Sequence, residues 1–133
     1  KYTLERNENF DEFLAENGAP WIARKMAVAS SPDLEVVVDG NKYTFKLNSL
    51  LQSKEISFTV GEDYEEKQHN DVIMKVSPSL DDGKLILSYT PTEEFKDKAK
   101  PQTHTRQIEG DQLILTLEIG EIKAKRYFKK QAA

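Results

Sequence analysis

From residue 34 to the end, glycine-bearing turns cut the chain into short runs that alternate apolar and polar side chains. A period of two is the signature of a strand with one buried face. Residues 34–38 and the Tyr43/Phe45/Leu47 run flank Asp39-Gly40, and residues 55–60 and 63–68 flank Gly61. Residues 72–79 and 84–89 flank Asp82-Gly83, residues 103–109 and 112–119 flank Gly110-Asp111, and Gly120-Glu121 opens a last run. With a short first strand over residues 2–5, these make about ten antiparallel strands without β-α-β alternation. The fold class this predicts is all-β, a closed up-and-down ten-stranded antiparallel barrel or a sandwich. Eight strands make a barrel that side chains just fill, so ten predict an internal cavity.

Two segments depart from that rhythm. Asn7 or Asn9 is placed to N-cap a helix carrying Phe10, Phe13 and Leu14, with Asp11 and Glu12 in its first turn and Asn17-Gly18 at its end. Pro20 suits the first turn of a second helix, 21–29, stopped by Ser30-Ser31-Pro32. This helical hairpin is the expected lid across one end of the barrel. Residues 90–102 (TPTEEFKDKAKPQ) are charged, are bounded by Pro91 and Pro101, and predict an extended hairpin loop.

The last strand holds an arginine where apolar groups belong. Ile122, Ala124, Arg126 and Phe128 share one face, while Lys123, Lys125, Tyr127 and Lys129 form the solvent face. Arg106 lies between His104 and Ile108 on a second such face. A buried guanidinium keeps its charge and requires an acceptor. No internal carboxylate stands nearby in sequence, so the simplest partner is an anionic ligand. An exposed or salt-bridged arginine on an edge strand is the alternative reading.

Composition removes other function classes. Nineteen basic against 23 acidic residues leave a net charge of −4, which argues against nucleic acid as a partner. No apolar run approaches the roughly 20 residues of a membrane helix. Without cysteine there is no thiolate nucleophile and no cysteine zinc site. His69 and His104 are too few for a metal triad, and a Ser57, His104 and Asp111 constellation lacks a nucleophile elbow. No enzyme activity, metal or cofactor is therefore expected.

The chain resembles the intracellular lipid-binding proteins, the fatty-acid- and retinoid-binding barrels, with a nematode-like flavour. The resemblance rests on Asn9-Phe10-Asp11-Glu12-Phe13-Leu14, Arg24-Lys25, Glu55-Ile56-Ser57-Phe58 with Gly61, the LILTL run at 113–117, and Arg126-Tyr127-Phe128. Leu4-Glu5-Arg6, Trp21-Ile22 and the ending Arg126-Tyr127-Phe128-Lys129-Lys130-Gln131 give the nematode flavour. Order and spacing match over nearly the whole chain. The resemblance implies one β-clam barrel domain over residues 1–133 that carries a long-chain fatty acid or a related lipid. It also implies that the lipid is delivered to membranes, enzymes or a nuclear receptor.

For the head group the resemblance implies an Arg/Arg/Tyr cluster. Arg106 and Arg126 fall on the arginine positions, but Phe128 stands at the tyrosine position. Tyr127 points to the other face and does not replace it. The missing hydroxyl leaves room for an amide, ester or alcohol head group, and an N-acylethanolamine or retinoid carrier is the alternative reading, with a lipid-modifying enzyme behind it. Cavity-lining residues are expected to be Phe10, Leu14, Ala19, Ala27, Pro32, His104, Leu115 and Leu117, and the portal to comprise Trp21, Met26, Leu51 and His69. Leu51 occupies a position that is phenylalanine in the family, and the 90–102 loop is about six residues longer than in commoner members.

Arg24 and Lys25 are either solvated charges or a patch for anionic membranes or nuclear import. Ala15 stands where the import signal of family members has a lysine. The chain starts after the family's usual Phe-Gly, and Lys1 is not a start methionine, so a trimmed N-terminus is expected. A monomer in the cytoplasm, with the nucleus as a second location, is the expectation, and secreted or lysosomal placement is the alternative.

Overall fold

The computed structural model describes residues 2–18, 20–29, 33–48, 53–67, 72–97 and 99–130; within these, the side chains of 23, 27–29 and 54 are not described. Ten strands alternate with tight turns: β1 (Tyr2–Glu8), β2 (Asp33–Asp39), β3 (Lys42–Asn48), β4 (Ser53–Thr59), β5 (Tyr64–Lys67), β6 (Ile73–Asp81), β7 (Lys84–Pro91), β8 (Gln102–Glu109), β9 (Gln112–Ile119) and β10 (Ile122–Lys130). Helices α1 (Phe10–Glu16) and α2 (Trp21–Ala29) separate β1 from β2. The predicted elements are all present, with ends shifted by one to three residues.

The sheet runs β4-β3-β2-β1-β10-β9-β8-β7-β6-β5, every neighbouring pair antiparallel. It curls into a nearly closed barrel in which β4 and β5 are the two edges. Side chains bridge that gap: Phe58 on β4 stacks on Tyr64 of β5 at 6.1 Å, and on Tyr43 of β3 at 5.8 Å. The turn between the two edges is anchored as well, Val60 N–H donating to Asn41 O at 2.9 Å and Gly61 N–H to Pro78 O at 3.1 Å. Gly61 adopts φ 89°, a conformation that favours glycine.

Inward-facing residues build the core, including Leu34, Phe45, Phe58, Met74, Val76, Leu87, Tyr89, Leu117 and Phe128. Phe10 and Phe13 of α1 join it and dock that helix on β9 and β10. Asn9, expected as an N-cap, has no side-chain capping bond; it takes φ 56°, and its Nδ2 donates to Lys123 O at 3.2 Å. The cap is given up to tie the strand-to-helix corner to β10.

Three further expectations change. The first strand reaches Glu8 because a register shift between Leu4 and Arg6 lets pairing with β10 continue past residue 5. Tyr127, assigned to the solvent face, is 8% exposed under the Arg6 guanidinium, whose Cζ lies 3.7 Å from the ring centroid. The 90–102 segment holds a 3₁₀ turn, Glu93–Phe95, whose Phe95 packs on the core. Its far end is tied to α1: Lys100 pairs with Glu16, and Gln102 Nε2 donates to Asn17 Oδ1 at 3.0 Å.

Candidate functional site

Register sets where the two arginines start. Arg106 pairs with Leu115 on β9, and Leu115 pairs with Arg126 on β10, so all three share a row on the inner face. Their side chains then diverge. Arg126 lies over the Phe10 ring, Cζ to centroid 4.1 Å, and its Nε donates to Asn7 Oδ1 at 3.0 Å. Asn7 reaches that row because the β1 irregularity brings it opposite Arg126. Arg106 crosses the interior instead, its Cζ 4.5 Å from the Phe45 ring centroid on β3.

The electrostatics differ too. Burial pushes the Arg126 guanidinium down to about 10, which leaves it charged at neutral pH. Burial also lowers Arg106, opposed by the nearby Tyr89, Tyr64 and Glu66. Arg106 borders an open cavity, and its Nη1 is buried and has no hydrogen-bond partner among the described residues. Tyr64 Oη is in the same position. Burial and the Glu66 carboxylate push that phenol up to about 12, against the opposing pull of Arg106.

Glu66 supplies the internal carboxylate that sequence proximity did not reveal. It pairs with Met74, a fully buried inner-face residue, and so shares that face. Deep in the barrel the described inward-facing side chains therefore carry two guanidiniums and one carboxylate. The surplus is one positive charge, which a single monoanion would neutralise.

A cavity of about 450 Å³ reaches Arg106 from the end of the barrel away from the helices, lined by Val36, Val38, Tyr43, Phe45 and Leu85. That volume lies in the range of small-molecule sites. Its rim is apolar: Val38, Leu80 and Ile108, each at the inner-face end of a strand, are more than half exposed. Lys130, last on the inner face of β10, also lines it.

The other predicted residues fall as follows. Phe128 is 1% exposed and lies 5.6 Å from Arg126 Cζ, Leu115 and Leu117 are buried on the inner face, and Leu14 packs on the core. His104 is half-buried; its Nε2 shares a 2.9 Å hydrogen bond with Gln102 Oε1, and its ring lies 4.2 Å from Tyr89. Ala19, Pro32, Leu51 and His69 lie outside the described residues, as does the side chain of Ala27. Ser57 bonds Thr44 on the outer face, so it and His104 form no catalytic pair. No cluster of three or more metal-ligating groups occurs among the described residues.

On α2, Trp21, Ile22 and Met26 are largely exposed. Arg24 and Lys25 are not simple solvated charges. Arg24 Nε lies 3.0 Å from Asp11 Oδ1, and Lys25 Nζ lies 3.2 Å from Asp11 Oδ2. Lys25 and Arg24 hold the Asp11 carboxyl below the usual carboxylate range. Sequence spacing could have suggested this pairing, since Asp11 sits in the first turn of the helix facing α2. Asn7, Tyr64 and Glu66 could not have been found that way.

The chain is 34% identical over 98% of its length to a fatty acid-binding protein of Tyrophagus putrescentiae, covering 95% of that protein. It is 30% identical to fatty acid-binding protein homolog 5 of Caenorhabditis elegans, covering 96% of this chain and 92% of the relative. Among solved structures, apo lipid binding protein 8 of Caenorhabditis elegans superposes with a TM-score of 0.88 at 26% identity, over 98% of this chain and 92% of that one. A fatty acid-binding protein from the brain of Drosophila melanogaster gives a TM-score of 0.84 at 34% identity, over 96% and 94%. Residues 1–131 match a family model, and with this barrel, helix pair and arginine-bearing interior the chain belongs to the lipocalin / cytosolic fatty-acid binding protein family.

Proposed function

We propose that this protein carries a long-chain fatty acid in the barrel, with the carboxylate at the interior arginines, and performs no chemistry on it. The observation that carries the reading is the surplus positive charge among the described inward-facing side chains, with Arg106 Nη1 buried and unpartnered among the described residues. An ionised carboxylate supplies the missing charge and the missing acceptor at once. Each methylene removed from water adds about 0.8 kcal/mol. Relatives named as fatty acid-binding proteins support the same ligand class.

Delivery is proposed to run through α2. Its exposed Trp21, Ile22 and Met26, beside Arg24 and Lys25, suit the interface of an anionic membrane. A nuclear receptor is a second proposed acceptor. A monomer in the cytoplasm, with access to the nucleus, fits such a carrier.

A neutral head group is the second reading, favoured by Phe128, which offers no hydroxyl beside Arg126. Mass spectrometry of lipid extracted from natively purified protein decides between the two. Free fatty acid is the expected species. Recovery of ethanolamides or retinoids alone overturns the fatty-acid assignment, and an empty barrel that takes up no added oleate overturns the carrier reading.

A further inference from the structure

Two buried polar atoms in the barrel have no hydrogen-bond partner among the described residues, and one run of aromatic rings links their side chains across the interior. Arg106 Cζ lies 4.5 Å from the Phe45 ring, Phe45 is 5.7 Å from Phe58, and Phe58 stacks on Tyr64 at 6.1 Å. Arg106 Nη1 and Tyr64 Oη are the two unpartnered atoms. A buried hydroxyl or guanidinium nitrogen left without a partner is costly, so a ligand atom that satisfies both is strongly selected.

We propose that Tyr64 is a head-group ligand of this protein: its hydroxyl and Arg106 Nη1 donate to one ligand oxygen, supplying from β5 the phenol that Phe128 lacks on β10. The proposal rests on the lipid reading above and deepens it, since it decides which head group the site prefers.

Charge and protonation fit this role. Tyr64 and Arg106 lie within each other's electrostatic influence, and with its phenol pushed up to about 12 Tyr64 keeps its proton at neutral pH. It is therefore a donor when the ligand arrives. Glu66, on the same face of β5, stands in the same field. Its negative charge disfavours an ionised Tyr64 and partly offsets the effect of burial on Arg106, so it favours both groups as donors. Two donors converging on one oxygen favour a carboxylate over an ester, because a hydrogen bond to an ionised acceptor is about twice as strong as a neutral one.

Tyr64→Phe tests this, because it keeps the ring that stacks on Phe58 and removes only the hydroxyl. Oleate and methyl oleate are titrated against the wild type, Tyr64→Phe, Arg106→Gln and the double variant. We expect Tyr64→Phe to weaken oleate about tenfold and methyl oleate no more than about threefold. In the Arg106→Gln background the same change should cost less than twofold, since the carboxylate is no longer seated between the two donors. Unchanged oleate affinity in Tyr64→Phe, an equal loss for both ligands, or full additivity with Arg106→Gln overturns the assignment of Tyr64 while leaving the carrier reading intact. A wild-type protein that binds neither ligand overturns both.

Discussion

Arg126 is held by groups the chain itself provides: the Phe10 face, the Phe128 ring and one bond from Nε to Asn7. Those contacts leave the other guanidinium nitrogens able to receive a carboxylate. Arg126→Gln should weaken fatty-acid binding by about 1.5–3 kcal/mol, the range for a hydrogen bond to a charged group, measured by displacement of a fluorescent fatty acid. An unchanged affinity in a folded variant would remove Arg126 from the site. Phe128 sits 5.6 Å from the same guanidinium. Phe128→Tyr should therefore shift preference towards free fatty acid over its ethanolamide, read by titrating both. Equal shifts would mean that the residue 128 hydroxyl does not meet the head group.

At the scale of the element, α1 and α2 are joined by one carboxylate that holds two cations. Asp11 is depressed because its ionised form is bonded by Lys25 and Arg24. A lowered folded-state value means that the contribution is full above the ordinary carboxylate pKa. It is lost as pH falls below about 4. The difference in thermal midpoint between wild type and Asp11→Asn should thus hold at pH 5 and narrow progressively as pH falls below about 4. The same pairing restrains the charges proposed to meet a membrane. Asp11→Asn should accelerate lipid transfer to anionic vesicles at low salt, whereas Arg24→Glu with Lys25→Glu should slow it and flatten its salt dependence. Transfer rates that ignore all three changes would exclude this helix pair as the docking surface.

For the whole molecule, the weak line is the edge between β4 and β5, where ring stacking takes the place of a hydrogen-bond ladder. Phe58 is the centre of that bridge, touching Tyr43, Phe45 and Tyr64 and only 5% exposed. Phe58→Ala should cost about 3–5 kcal/mol in chemical denaturation. Amides of β4 and β5 should lose hydrogen-exchange protection ahead of those in β8–β10, because opening starts where fewest contacts must break. Uniform loss across all strands would show that the seam is no weaker than the rest.

Fold class, strand count and the two helices were legible in the sequence because period and turn chemistry are local. The inward face of Arg106 and Arg126 followed from alternation alone. Side-chain direction within the barrel did not: the two guanidiniums share a row yet turn to Phe45 and to Phe10, partners far away along the chain. Asn7 looked like a helix cap until the β1 register shift turned it to Arg126. Glu66 follows Glu62, Asp63 and Glu65 in the chain, and only pairing with Met74 set it inside. Alternation fixes which face a residue takes, but curling the sheet decides what lies across the interior from it. The head-group environment is made of such cross-barrel neighbours, which is why only the tertiary structure could bring Arg106, Tyr64 and Glu66 together.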